Sequence, residues 1–128
     1  MSEFGGGAVK DFMHRYLEVI PQDTTTAAAA ERMGIKGIGC LLVESDDPKR
    51  GPFGIMTETD LVRKVLARGL DPAVTMVDRV MVSPILTITG DRPMLDASHL
   101  METNHVRHLC VVEAGEIVGI MSVRDLVR

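Results

Sequence analysis

The chain has 128 residues, of which 45% are apolar, and its net charge is −4 with a pI near 5.5. This length suits one ordinary domain or two small halves that share a core. The acidic balance, without a long run of Lys or Arg, argues against nucleic-acid and membrane-surface partners, and the sequence has no apolar run of 18 or more residues for a transmembrane helix.

Two features suggest where the protein works. Residues 1–8 are rich in glycine and lack the charged and apolar regions of a signal peptide, so we expect a flexible leader. Cys40 and Cys110 lie in apolar runs, which favours reduced core residues over a disulfide framework. We therefore expect a cytoplasmic protein.

Residues 9–69 contain the first set of predicted elements. The extended piece "LEVI" leads to a turn at Asp23, and "TTTAAAAERM" predicts a helix because alanines follow threonines that suit an N-terminus. Two buried strands, "GCLLV" and "FGIMT", come next. The helix "ETDLVRKVLARG" then ends at Gly69, a typical C-cap residue, and residues 70–76 form a linker.

Residues 77–128 present the same elements again. The strand "ILTI", a turn at Asp91 and the helix "MLDASHLMETN" precede the strands "HLCVV" and "IVGIMS". The chain stops about one turn into the last helix, which suggests a piece of a longer protein. We predict an α+β fold of two pseudo-symmetric repeats, each a small sheet with helices packed on one side.

One ten-residue motif, the repeated phrase, occurs twice. "GIMTETDLVR" covers residues 54–63 and "GIMSVRDLVR" covers residues 119–128, and they differ at three positions only. Other apolar matches are Val9, Met13 and Ile20 with Val77, Met81 and Ile88. Two copies are too few for a solenoid, so they suit a pair in which each copy buries its apolar face against the other.

The repeated phrase has a structural and a functional interpretation. A hydroxyl residue followed three positions later by Asp forms a capping box at a helix start, which explains the pattern by itself. The same helix start offers free N–H groups and partial positive charge to a phosphate, while the Asp can accept hydrogen bonds from ribose hydroxyls. The second interpretation predicts a nucleotide site in each copy.

On these residues the chain resembles a tandem pair of cystathionine-β-synthase (CBS) domains, or Bateman module. The resemblance covers residues 9–128 and also uses "VMVSPILTITGD" and "HVRHLCVV". It implies that AMP, ADP or ATP binds in clefts between the copies, with S-adenosylmethionine or NAD as alternatives. It further implies a non-catalytic regulatory module that signals to a partner or attached domain and associates two-by-two.

The resemblance also assigns residues to each cleft. In one cleft Asp125 binds the ribose, and the phosphate side contains Ser122, Arg124, Arg107 and His108. In the other, Asp60 binds the ribose, with Thr57, Thr59 and Lys36 on the phosphate side. The adenine-binding strand comes from the opposite copy: Leu17, Glu18 and Ile20 serve Asp125, and Ile85, Leu86 and Ile88 serve Asp60. Because residues 37–39 carry no charge, the Asp60 cleft is expected to be weaker.

Alternatives to the sensing module stay open. No metal site is predicted, because His105 and His108 would point to opposite faces of a strand. No enzyme is predicted, because Ser122 lacks a G-x-S-x-G elbow. A homodimer is expected from the apolar helix face formed by Leu61, Val62, Val65 and Leu66. The alternative function is a dimerisation or scaffold module with empty clefts.

Overall fold

The computed structural model describes residues 7–126. Its strands are β1 (Val19–Pro21), β2 (Cys40–Glu44), β3 (Phe53–Thr57), β4 (Thr87–Thr89), β5 (His108–Glu113) and β6 (Glu116–Ser122). Its helices are α1 (Thr26–Lys36), α2 (Glu58–Leu61, continued by a π-helical turn at Val62–Leu66) and α3 (Met94–Asn104). Short 3-10 helices lie at Val9–Asp11, Val77–Arg79 and Val123–Leu126.

The strands form two three-stranded mixed sheets. In the first sheet β1 runs parallel to β2, and β2 runs antiparallel to β3. In the second sheet β4, β5 and β6 repeat this arrangement. With the helices that accompany each sheet, the predicted α+β fold of two repeats is confirmed.

The boundaries of the long helices follow from local chemistry. Thr25 is the N-cap of α1, and its Oγ accepts a hydrogen bond of 3.1 Å from the backbone N–H of Ala28. Gly37 ends α1 with a φ of 66°, a left-handed conformation that favours glycine. At the same place after α3, His105 adopts a φ of 54°.

The chain folds into two compact units that exchange their leading segments. One unit comprises Glu18–Ile85, and the other combines the residues up to Leu17 with those from Leu86 onwards. In the first unit, Val82 forms an antiparallel bridge to Ile55 on β3. In the second unit, His14 forms the corresponding bridge to Ile120 on β6. Each unit therefore contains one sheet and the leading segment of the other sequence copy.

Each unit has its own apolar core. The first core contains Ile20, Ala29, Met33, Leu41, Val43, Met56, Val65, Val77, Val80 and Met81. The second contains Val9, Met13, Ile88, Met94, Ala97, Met101, Leu109, Val111 and Met121. Methionine fills much of both cores because its flexible thioether adapts to irregular gaps.

The remaining predictions concern the chain ends and the helix after β3. Most of the predicted leader lies outside the described residues, and so do residues 127–128, which the sequence assigned to a last helix. In the π-helical turn, Val65 is buried, whereas Val62 and Leu66 are 55% and 65% exposed. No helix within residues 7–126 is long and apolar enough to cross a bilayer.

Candidate functional site

The strand-to-helix junction after β3 is a closed capping box, and we call it the Asp60 corner (Gly39, Cys40, Thr57, Asp60 and Lys64). The Asp60 Oδ2 accepts hydrogen bonds from the Thr57 N–H at 2.9 Å and the Thr57 Oγ at 3.2 Å. The other carboxylate oxygen, Oδ1, lies 2.9 Å from the Lys64 Nζ. Lys64 also donates to the carbonyl of Val80 at 3.0 Å, so Asp60 has a tethered counter-ion.

The junction after β6 has the same carboxylate contacts, with a histidine in place of the lysine, and we call it the Asp125 corner (His14, Arg107, His108, Ser122 and Asp125). The Asp125 Oδ2 accepts from the Ser122 N–H at 2.8 Å and the Ser122 Oγ at 3.2 Å. The His14 Nε2 lies 2.9 Å from the Asp125 Oδ1. Asp125 is only 4% exposed, so these contacts compensate for the cost of burying its charge.

Backbone hydrogen bonds define which residues correspond in the two corners. The Glu58 N–H donates to the Gly39 carbonyl at 3.1 Å, and the Val123 N–H donates to the Arg107 carbonyl at 2.9 Å. The residue that follows Gly39, Cys40, lies opposite Thr57 across the sheet. His108 lies opposite Ser122 in the same way. The structure thus brings Arg107, His108, Ser122 and Asp125 together at one corner.

The two corners differ in charge. A β-carbon on Gly39 would lie 3.2 Å from the Glu58 Oε1, so a carboxylate adjoins the Asp60 corner. Burial, with a further contribution from Glu58, raises the pKa of the Cys40 thiol to about 11. At the Asp125 corner, Val123 replaces Glu58, and the exposed side chains of Arg107 and Arg124 supply positive charge. An anionic group is therefore favoured at the Asp125 corner.

Comparison with known proteins identifies the family. The CBS domain model matches residues 9–67 and 77–128. The chain belongs to the CBS domain family. The CBS domain-containing protein CBSCBSPB3 of Arabidopsis thaliana is 35% identical over 105 residues, which are 81% of this chain and 18% of that protein. Two other relatives at 31% identity are matched over 52% and 53% of their lengths, so the chain spans about half or less of these relatives.

Solved CBS structures share the fold over nearly the whole chain. The hexameric CBS-CP12 protein from bloom-forming cyanobacteria has a TM-score of 0.87 at 29% identity, covering 95% of this chain and 67% of that one. The CBS domain protein PAE2072 from Pyrobaculum aerophilum was solved in complex with AMP. It has a TM-score of 0.78 at 28% identity, covering 94% of this chain and 90% of that one.

The other predicted residues of this CBS pair have varied environments. Thr59 and Lys36 are exposed, at the second residue of α2 and the last of α1. Ile20 and Ile88 are core residues, so their side chains face the apolar interior. Glu18 pairs with Arg32 of α1. The half-buried residues among the predicted adenine contacts are Leu17, Glu18, Ile85 and Leu86.

The predicted adenine contacts are also divided between the two compact units. Leu17, Leu86 and Ile88 belong to the unit of Asp125. Glu18, Ile20 and Ile85 belong to the unit of Asp60.

Sequence reasoning about this CBS pair missed three residues in or next to the corners. Lys64 follows Asp60 by four positions, so helical spacing could have indicated their ion pair. Glu58 lies inside the repeated phrase, where its charge contrasts with Val123. His14 gives no local signal, because only the exchange of the leading segments brings it to Asp125.

Proposed function

We propose that this CBS pair is a regulatory module that senses an adenosine-containing nucleotide, AMP, ADP or ATP, at the Asp125 corner. The observation that carries the proposal is the gathering of Arg107, His108 and Ser122 beside a buried Asp125. The complex of the Pyrobaculum aerophilum CBS protein with AMP supports the choice of ligand. In this proposal the module binds without catalysis and passes the signal to a partner or attached domain.

Each group at the corner has a role that its chemistry suits. A carboxylate has about four lone-pair sites, so Asp125 can accept hydrogen bonds from ribose hydroxyls in addition to those from Ser122. The guanidinium groups of Arg107 and Arg124 can pair with phosphate oxygens through charge-assisted hydrogen bonds. His108, opposite Ser122, adds a cation when it is protonated.

The Asp60 corner is proposed as the weaker site. Glu58 would repel a phosphate there, and Cys40 stays a neutral thiol at neutral pH. Lys64, the cation at this corner, already contacts the Asp60 carboxylate and the Val80 carbonyl. A nucleotide with several negative charges should therefore prefer the Asp125 corner.

Calorimetric titration of wild type, Asp125→Asn and Asp60→Asn with AMP and ATP tests this proposal. Asparagine keeps the size of the cap but loses the charge that accepts from the ribose. We expect Asp125→Asn to weaken binding roughly 10- to 100-fold, as for the loss of hydrogen bonds to a charged group, and Asp60→Asn to change it much less. Equal affinities in all three proteins, or no binding by wild type at millimolar ligand, would contradict nucleotide sensing.

The same titration, run with S-adenosylmethionine and NAD, separates the ligand classes. S-adenosylmethionine has no phosphate, and its sulfonium and ammonium charges offset its single carboxylate, so it gains less from Arg107 and Arg124 than a nucleotide does. Charge reversal by Arg107→Glu should therefore weaken the binding of AMP and ATP much more than that of S-adenosylmethionine. If Arg107→Glu weakens the binding of all ligands equally, Arg107 does not bind the phosphate.

A second candidate function, a dimerisation or scaffold module, is favoured by the apolar surface of the turn after α2. Val62 and Leu66 are 55% and 65% exposed, and neither has its side chain in the core. Such a surface suits association of two copies. Dimerisation without nucleotide binding would favour the scaffold function, whereas dimerisation together with binding fits the sensing module.

A further inference from the structure

We propose that His14 is a positioning residue of the Asp125 corner, whose imidazole controls the access of a ribose to the Asp125 carboxylate in a proton-dependent way. This inference rests on the proposed nucleotide function and adds its regulation by pH. Two observations support it. His14 contacts Asp125, and the corresponding contact at the Asp60 corner is made by a lysine, Lys64.

The two carboxylate oxygens of Asp125 have different partners. Oδ2 accepts hydrogen bonds from the N–H and Oγ of Ser122. Oδ1 lies 2.9 Å from the Nε2 of His14. A ribose hydroxyl that hydrogen-bonds to Oδ1 must therefore share or replace the contact with the imidazole.

The backbone holds His14 in this place independently of its side chain. The His14 N–H donates to the Ile120 carbonyl at 2.8 Å, and the Ile120 N–H donates to the His14 carbonyl at 2.9 Å. A β-carbon on Gly119 would lie 2.9 Å from the His14 carbonyl oxygen, so glycine permits this close approach. The His14 side chain is 63% exposed, so solvent reaches it.

The Asp60 corner provides the internal comparison. Val82 there makes the backbone bridge to Ile55 that His14 makes to Ile120, and valine carries no charge. The Asp60 carboxylate is held instead by Lys64, and lysine is a side-chain type that carries a charge at physiological pH. One corner thus has a permanent counter-ion, whereas the other has a side-chain type that changes charge between about pH 5 and pH 8.

Other titratable and charged groups on the elements around His14 must be considered. The groups on its own segment are Lys10, Asp11, Arg15 and Tyr16. The groups on the other elements are Glu116 on β6, Arg107 just before β5, His108, Cys110 and Glu113 on β5, and Arg124 and Asp125 on the last 3-10 helix. The Asp125 carboxylate is at ion-pair distance from the ring. Arg107, His108 and Arg124 would act on a phosphate, so a ligand without phosphate isolates the effect of His14.

The sign of the effect follows from hydrogen-bond strength. A protonated imidazole makes a charge-assisted hydrogen bond to a carboxylate, roughly twice as strong as a neutral one. It therefore competes better with the ribose for Oδ1. Ribose affinity at the Asp125 corner should fall as the pH is lowered.

The test uses adenosine, which has no phosphate, in calorimetric titrations at about pH 8 and about pH 5.5. The parent protein carries Asp60→Asn, so that binding at the Asp125 corner dominates the titration. It is compared with the same protein carrying His14→Gln in addition. His99→Gln, at an exposed position on α3, is the matched control. We expect affinity to fall about fivefold at the lower pH in the parent and in His99→Gln, and to change less than twofold in His14→Gln.

A permanent cation gives a second variant. His14→Lys should bind adenosine weakly at both pH values, because it resembles the low-pH state at every pH. Ring resonances of His14 in ligand-free protein provide a third readout, and they should shift in Asp125→Asn but not in Asp60→Asn.

The outcomes separate the two proposals. If the parent binds adenosine but His14→Gln retains the same pH dependence, the role of His14 is overturned while nucleotide sensing stands. The same conclusion follows if the His14 resonances do not respond to Asp125→Asn. If wild type binds neither adenosine nor AMP, nucleotide sensing is overturned, and the inference about His14 falls with it.

Discussion

Gly119 on β6 faces Met13 so closely that a β-carbon at position 119 would lie 2.6 Å from the methionine Sδ. The same relationship recurs in the other unit, where a β-carbon on Gly54 would lie 2.5 Å from the Met81 Sδ. The glycine that begins the repeated phrase therefore allows the leading segment of the other sequence copy to pack against the sheet.

This contact predicts different costs for alanine at the two glycines. In addition to the Met13 side chain, the β-carbon of Gly119→Ala would contact the backbone carbonyl oxygen of His14 at 2.9 Å. This oxygen cannot move without breaking the bridge to Ile120. We expect Gly119→Ala to lower the free energy of unfolding by about 1–3 kcal/mol, as overpacking typically does. Urea denaturation followed by circular dichroism measures this change.

Gly54→Ala is the matched control for that experiment. Its close contacts are all to the flexible Met81 side chain, which can rotate away. Its destabilisation should therefore be smaller than that of Gly119→Ala. If the two variants unfold at the same denaturant concentration, the backbone contact at position 14 does not limit packing.

The counter-ion of Asp60 leads to a second prediction. Lys64→Met removes the cation at 2.9 Å from a carboxylate that is 7% exposed, while keeping much of the apolar stem. Because Lys64 is itself about one third exposed, solvent screening limits the loss, and we expect about 1 kcal/mol in unfolding experiments. Lys64→Arg should recover most of the stability, and the loss should vanish in an Asp60→Asn background. A full loss in that background would mean that Lys64 acts through packing.

The Cys40 thiol gives a prediction about reactivity and pH. Its pKa of about 11 leaves little thiolate at neutral pH, so alkylation by iodoacetamide should be much slower than in denaturant. Because the pKa of the thiol in the folded protein is raised above its ordinary value of 9.0, this contribution to stability is fully present below pH 9 and declines as the pH rises towards 11. Cys40→Ala should remove this part of the alkaline decline.

Glu58→Gln tests the second cause of the raised pKa of Cys40. Loss of the neighbouring charge should lower the thiol pKa and speed alkylation, though burial, the larger cause, still keeps the rate below that of the unfolded chain. Mass spectrometry of a Cys110→Ala protein would follow Cys40 alone. An unchanged rate would place the Glu58 carboxylate too far from the thiol to matter.

Much of the fold was predictable because the repeated pattern marks its elements locally. "FGIMT" and "MLDASHLMETN" correspond to β3 and α3 at the same residues, because a short apolar run and a helical pattern are each determined by a few neighbouring residues. The capping box at Thr57 and the hydrogen bonds from Ser122 to Asp125 follow from a hydroxyl and an Asp three residues apart. The family resemblance then assigned Arg107 and His108 to the cleft of Asp125.

The exchange of leading segments was not predictable in this way. Single bridges, His14 to Ile120 and Val82 to Ile55, attach these segments to the sheets, and such pairing is non-local. The contact between His14 and Asp125 depends on this exchange. The π-helical turn at Val62–Leu66 was also missed, because one extra residue in a turn has no strong composition signal.

Association is the last prediction, and it concerns the surface that the π-helical turn leaves exposed. Glutamate at Leu66, a residue 65% exposed outside the core, should leave the fold intact while placing a charge in the proposed dimer contact. Wild type should give the mass of a dimer by light scattering at tens of micromolar, and Leu66→Glu should give that of a monomer. Leu95→Glu, on an exposed position of α3, is the control and should remain dimeric. A monomeric wild type, or a dimer that persists in Leu66→Glu, would exclude this surface as the contact.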